Sequence, residues 1–239
     1  RKKNQEGTAE VSRITNASIV SGQEHLQGLE KGKPVLLSSN HFGFFKLVGY
    51  DPEDLRGLGF DGNHALGDIY YPPIPFYAAL YPVAKELNDD LYMAAEEEPG
   101  ILGELSRATG SIDLPPASMV SESEGGGGGR VRILTESTRK LFTEHPNSAI
   151  TVFPEGGTTG KRNGGNLKKL GQFHTGVFVI GAELEVPIVL SAHRFNPDKG
   201  FDVSVAGVVH LGKNSSREEI KTAANNARNV TQAAYEKLF

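Results

Sequence analysis

The chain has 239 residues, a formal net charge of −4, 38% apolar and 23% charged residues. That balance fits one globular domain with a sizeable core, and it excludes a global basic field for nucleic acid, so any anion site must be local. Cysteine is absent, which excludes disulfides, thiolate zinc sites and a Cys nucleophile. No run approaches the roughly 20 apolar residues of a spanning helix. A chain that starts at Arg1 leaves an upstream segment, a membrane anchor included, open.

Residues 1–17 open with a polar stretch that reads as a frayed end or linker. From Ser18 the pattern is strand-like, followed by a turn around Gly32 and Lys33. Pro34–His41 is a short apolar run ending in polar residues, as in a buried parallel strand that delivers side chains at its C-terminal edge. In open α/β sheets that edge binds ligands. About residues 47–82, Gly, Pro and Tyr mark an insertion of helical pieces and loops. Tyr81–Lys85 reads as a second short strand, Gly100–Thr109 as a helix stopped by Gly110, and Ser111–Leu114 as a brief strand.

Residues 119–129 end in five consecutive glycines and read as a flexible loop or linker. Arg130–Glu144 is a predicted helix with Ile133, Leu134, Leu141 and Phe142 on one face. Ala149–Phe153 is a strand running into Pro154-Glu155-Gly156; Thr175–Leu184 is a helix, and Pro187–Ala192 and Asp202–Val209 are strands. The last helix opens with a capping box, Ser216 and Glu219, and turns a stripe of Ile220, Ala224, Ala227, Ala234 and Leu238 to the core. Strands alternating with helices predict an α/β fold over residues 18–239, with a mostly parallel, mixed sheet flanked by helices.

Ordered blocks in this chain are similar to the glycerophospholipid acyltransferase family, in its lysophosphatidic acid acyltransferase branch. Val20–Leu26 followed by Gly32–His41 resembles the strand that ends in the family's "NH". Val152–Arg162 resembles "FPEGTRS" with one extra glycine, and Phe173–Leu190 resembles the stretch from "KxGAxxLA" to "VPIVPV". Val83–Leu87 and Leu105–Ile112 resemble the "VAKKEL" and "LRxxGxI" segments between them. The resemblance implies the family's acyltransferase fold and transfer of a fatty acyl group from acyl-CoA or acyl carrier protein to the hydroxyl of a lysophospholipid or related glycerolipid. It implies no metal or organic cofactor, no nucleic-acid partner, and work at a membrane surface, as a cytoplasmic protein peripheral to the inner face.

Chemistry agrees with this assignment. A hydroxyl attacks a thioester once a base removes its proton, and histidine is matched to that task near neutrality. His41 is the candidate base, with a core-edge histidine bonded to backbone as the alternative. Glu155 is a site organiser or an acceptor ligand, and Asn40 accompanies His41 as a binding residue. Gly156, Gly157 and Thr158, backed by Lys161 or Arg162, suit a phosphate; a solvated basic loop is the other reading. A nucleotide P-loop fails on spacing, and Arg162 stands where Ser or Thr would meet magnesium.

Two departures bear on activity. Lys46 occupies the place of the family's orienting aspartate, and Asp113–Pro116 stands where its second-block arginine is expected. A carboxylate from Asp51, Asp61, Asp68 or Glu155 could replace the aspartate. His64 and Asp68, four apart and so on one face of a helix, form an alternative pair. The third outcome is a catalytically impaired member that binds lipid or acyl groups without turnover. Phe42, Phe44 and Phe45 suit an acyl-tunnel wall or plain core, and Tyr70, Tyr71, Phe76 and Tyr77 a membrane-facing lip or ordinary packing.

Overall fold

The computed structural model describes residues 9, 12–13, 16–41, 65–66, 69–70, 79–87, 90–96, 111–114, 127–156, 159, 168–196 and 200–239. In chain order the strands are β1 (Ser18–Ser21), β2 (Val35–Ser39), β3 (Ala65–Leu66), β4 (Ile69–Tyr70), β5 (Asp90–Glu96), β6 (Ser111–Leu114), β7 (Ser148–Val152), β8 (Ile188–Asn196) and β9 (Gly200–Val209). The α-helices described by name here are α1 (Tyr81–Glu86), α2 (Gly127–Glu144), α3 (Gly176–Leu184) and α4 (Arg217–Glu236).

Seven strands form one sheet in the order β1-β9-β8-β2-β7-β5-β6, and β3 pairs with β4 alone. Every pair in the large sheet is parallel except β8 with β9. The expected α/β architecture with a mostly parallel, mixed sheet is therefore present. β2 lies between β8 and β7 and is buried along its whole length, which is why it reads as an unbroken apolar run.

Side chains alternate across the sheet, and each face has its own core. Leu36, Ile150, Ile188 and Leu190 pack with Phe178 and Ile180 of α3, Leu134 and Phe142 of α2, and Ala224, Ala227 and Tyr235 of α4. Val35, Leu37, Ala149 and Val189 pack on the other face with Val83 and Ala84 of α1, and with Leu26 of a short 3-10 turn, Gln23–Leu26. Gly22 precedes that turn at φ 79°, where a Cβ would stand 1.9 Å from the Val205 carbonyl oxygen; the close approach to β9 needs glycine.

Several local expectations change. Tyr81–Glu86 is a helix rather than a strand: Pro82 sits in the first turn, where its missing N–H and fixed φ are harmless, and Val83 and Ala84 turn together into the core. β5 had no counterpart in the sequence reading. α2 starts at Gly127, so three of the five glycines are helical instead of linker, and Gly129 is buried. The rest of the expected loop, the expected helix at 100–109 and most of the 47–82 insertion lie outside the described residues. At the C-terminus the capping box is formed: Glu219 N–H donates to Ser216 Oγ at 3.2 Å, and Ser216 N–H to Glu219 Oε2 at 2.7 Å.

Candidate functional site

Three adjacent parallel strands end side by side. β2 ends in Asn40-His41, β7 in Phe153-Pro154-Glu155, and β8 carries His193 toward its own end. The chain leaves β2, runs out to β5 and β6, returns at β7, and crosses β2 to reach β8. Such a reversal of strand order opens a crevice at the carboxyl edge of the sheet.

His41 is half-buried, and its ring meets the Phe153 ring edge-on, with centroids 4.6 Å apart. Its main chain is clamped on both sides. The His41 carbonyl accepts from Thr159 N–H at 2.7 Å, and the His41 N–H donates to the Glu155 carboxylate. Glu155, only 4% exposed, also accepts from Thr159 Oγ1 at 2.5 Å and from Gly171 N–H at 2.6 Å. One buried carboxylate thus ties the end of β2, the turn after β7 and the segment that leads to α3. Burial raises the Glu155 carboxyl above its ordinary range, while bonds from Thr159, Gly171 and His41 and the field of Arg228 pull it back. Arg228 is itself fixed on that segment, donating to the Leu170 carbonyl at 2.9 Å.

Asn40 is fully buried and turned inward. Its Nδ2 donates to the His193 carbonyl at 3.0 Å, and its Oδ1 accepts from His193 N–H at 2.8 Å. The side chain extends the ladder between β2 and β8 by one more pair of bonds and stops β2 where His41 must leave it. Both ends of the amide that the sequence reading offered to substrate are engaged on β8.

His193 was missed by sequence reasoning because a histidine inside an apolar strand carries no motif. It is 0% exposed, and its Nδ1 lies 2.9 Å from Ser39 Oγ. Burial first, and the neighbouring His41 second, push its imidazole down to about 3. Burial likewise holds His41 below 6.5, with a contact to its own main chain acting the other way. Burial thus favours the neutral form of both imidazoles.

A stability prediction arises here. The unfolded chain protonates this ring near pH 6.5 and the folded chain near 3, so the unfolded state binds the extra proton as pH falls between those values. The contribution of His193 is complete above pH 6.5 and is lost on acidification. Urea unfolding of the wild type and of His193→Gln at pH 7.5 and 4.5 should give losses that differ by about 2–3 kcal/mol, the wild type losing more. Parallel losses would remove the buried neutral imidazole from the account.

Gly156 is exposed and carries φ 61°, the turn that frees the chain after Glu155. Gly157, Thr158, Lys161, Arg162, Lys46, His64 and Asp68 lie outside the described residues. Of the segment around that alternative pair, only Ala65–Leu66 and Ile69–Tyr70 are described, and they pair antiparallel. No group of metal ligands is present among the described residues, and no described helix is long and apolar enough to cross a membrane.

The crystal structure of the 1-acyl-sn-glycerophosphate (LPA) acyltransferase PlsC from Thermotoga maritima aligns with 99% of this chain and 78% of its own, at TM-score 0.53 and 15% identity. The chain shares the fold of that acyltransferase. No protein-family model and no curated protein matches the sequence. At this identity the likeness concerns the course of the backbone, and the chemistry has to be argued from the residues themselves.

Proposed function

We propose that the chain is an O-acyltransferase that moves a fatty acyl group from a thioester, acyl-CoA or acyl carrier protein, to the hydroxyl of a lysophospholipid or related glycerolipid at a membrane surface. The observation that carries this reading is the clamp on His41: a neutral imidazole held by both its main-chain groups at the carboxyl edge of an acyltransferase-fold sheet. His41 takes the proton of the acceptor hydroxyl, and the freed oxygen attacks the thioester carbonyl. The tetrahedral intermediate then expels the thiolate, and the proton on His41 passes to the sulfur. Glu155 positions rather than reacts, because its oxygens face Thr159, Gly171 and the main chain of His41. The phosphate of the acceptor is assigned to Gly157, Thr158, Lys161 and Arg162, which follow Glu155 in sequence.

The test is to incubate the protein with long-chain acyl-CoA and a panel of lysophospholipids, measuring free CoA and acylated lipid together. Equal amounts of both products are expected. CoA release without acylated lipid would replace transfer by thioester hydrolysis. Retained lipid with neither product would make the chain a lipid-binding protein, the outcome that Lys46 in the place of a carboxylate favours.

A further inference from the structure

A cleft of about 370 Å³ lies between residues 169–173 and α4. Asn225, Arg228 and Asn229 line it from the helix, spaced so that they share one face, and Lys169 and Gln172 line it from the segment opposite. Its volume falls within the range of small-molecule sites, about 300–1,000 Å³. Its chemistry is polar and cationic. No carboxylate lines it among the described residues, and its two apolar side chains, Leu170 and Phe173, are buried and offer an acyl chain little surface.

The wall opposite α4 is fastened to the helix. Leu170 N–H donates to Gln232 Oε1 at 2.7 Å, Gln232 Nε2 to the Lys168 carbonyl at 2.8 Å, and Arg228 to the Leu170 carbonyl at 2.9 Å. These bonds hold the chain that carries Lys169 against the helix that carries Arg228, so the two cationic residues are set in place before anything binds. Among the described residues the half-buried Arg228 guanidinium bonds only uncharged acceptors, the Leu170 carbonyl and, at 3.4 Å, Asn229 Oδ1. Glu155 acts on it through the field alone, its oxygens being turned to Thr159, Gly171 and the main chain of His41. A planar cation without an ionic partner, ringed by side-chain amides, matches the oxygens of a phosphate.

We propose that this cleft binds the phosphate monoester of a small organic molecule, Arg228 and Lys169 meeting its charge and Gln172 and Asn225 donating to its oxygens. Two sources share that chemistry: the 3′-phosphate at the nucleotide end of a CoA thioester, and a free small phosphate. The first rests on the acyltransferase reading; the second does not. The cleft residues are distinct from Gly157, Thr158, Lys161 and Arg162, assigned above to the phosphate of the acceptor. One main-chain link joins the cleft to the clamp on His41, since Gly171, part of its lining, donates its N–H to Glu155 at 2.6 Å. A ligand seated here steadies the segment from which Glu155 takes that bond.

The experiment titrates the intact chain with 3′,5′-ADP, inorganic phosphate and glycerol 3-phosphate, following backbone amide NMR shifts. Saturable shifts centred on Gly171, Gln172, Asn225 and Asn229 are expected, and they should weaken as salt is raised. Arg228→Gln should raise Kd about tenfold or more. Asn225→Asp, which sets a like charge at an exposed helix position, should raise it about threefold or more. If Arg228→Gln fails to fold, Asn225→Asp and Lys169→Gln carry the same readout. Tighter binding of 3′,5′-ADP than of the other two assigns the cleft to the donor. Equal or reversed affinities keep the phosphate site and detach it from CoA. The proposal is overturned if no probe binds more tightly than about 10 mM, or if shifts centre on residues 157–162 with Kd unmoved by the cleft variants. Binding is read without turnover, so a chain that binds but transfers nothing counts against the function and not against the site.

Discussion

His41→Ala is expected to lower kcat/KM for acyl transfer by about a hundredfold to ten-thousandfold, the range a positioned general base supplies. The fold should survive. The groups of His41 that hold the site together are its main-chain N–H and carbonyl, and alanine keeps both bonds, to Glu155 and to Thr159. What is lost is the imidazole and its edge contact with Phe153. A half-buried ring replaced by a methyl group should cost about 1–2 kcal/mol of stability, too little to unfold a domain of this size. Retained lipid binding with lost turnover would separate the base from the scaffold. In the wild type the acid limb of kcat/KM should fall below pH 6.5, because burial lowers the imidazole and activity is lost only when the ring protonates. Full transfer by His41→Ala would end the assignment and send the search to another edge residue.

How much of this was legible in the sequence depends on which force sets each element. β2, β7 and the start of β8 could be read because central strands must be apolar on both faces, and β9 because its apolar residues alternate with polar ones. The final helix was legible from its cap and its alanine stripe, since capping chemistry is local. Tyr81–Glu86 was misread: six residues cannot display a period, and burial of Val83 and Ala84 against β5 decides their conformation. His41 was singled out because it ends a recognisable strand in a recognisable motif. His193 was not, because its meaning comes from the strand laid beside it, 152 positions away from His41 by the difference of their numbers. Asn40 was placed correctly and given the wrong partner for the same reason. Its amide meets a main chain that no sequence window contains.

Glu155→Gln is the second large effect, and it separates the two roles this residue could have. The wild-type carboxylate receives a hydroxyl and two main-chain N–H groups, all near the bottom of the site. The amide offers one carbonyl oxygen to those three donors and turns its NH2 toward at least one of them. Leaving a buried donor unmet costs about 1–3 kcal/mol, and a bond to a charged acceptor is worth about 1.5–3 kcal/mol. Burial raises the carboxyl of Glu155, so removing the charge recovers part of its desolvation cost. The donors outnumber that gain, and a net loss of about 2–4 kcal/mol in urea unfolding is expected. Activity should fall through kcat, because the freed N–H and the slackened Thr159 turn let His41 drift from the strand end. In the His41→Ala background the same substitution should reduce transfer no further, since a positioner has nothing left to position. If Glu155→Gln instead keeps its stability and raises KM alone, the carboxylate is an acceptor ligand and the clamp on His41 is held by Thr159.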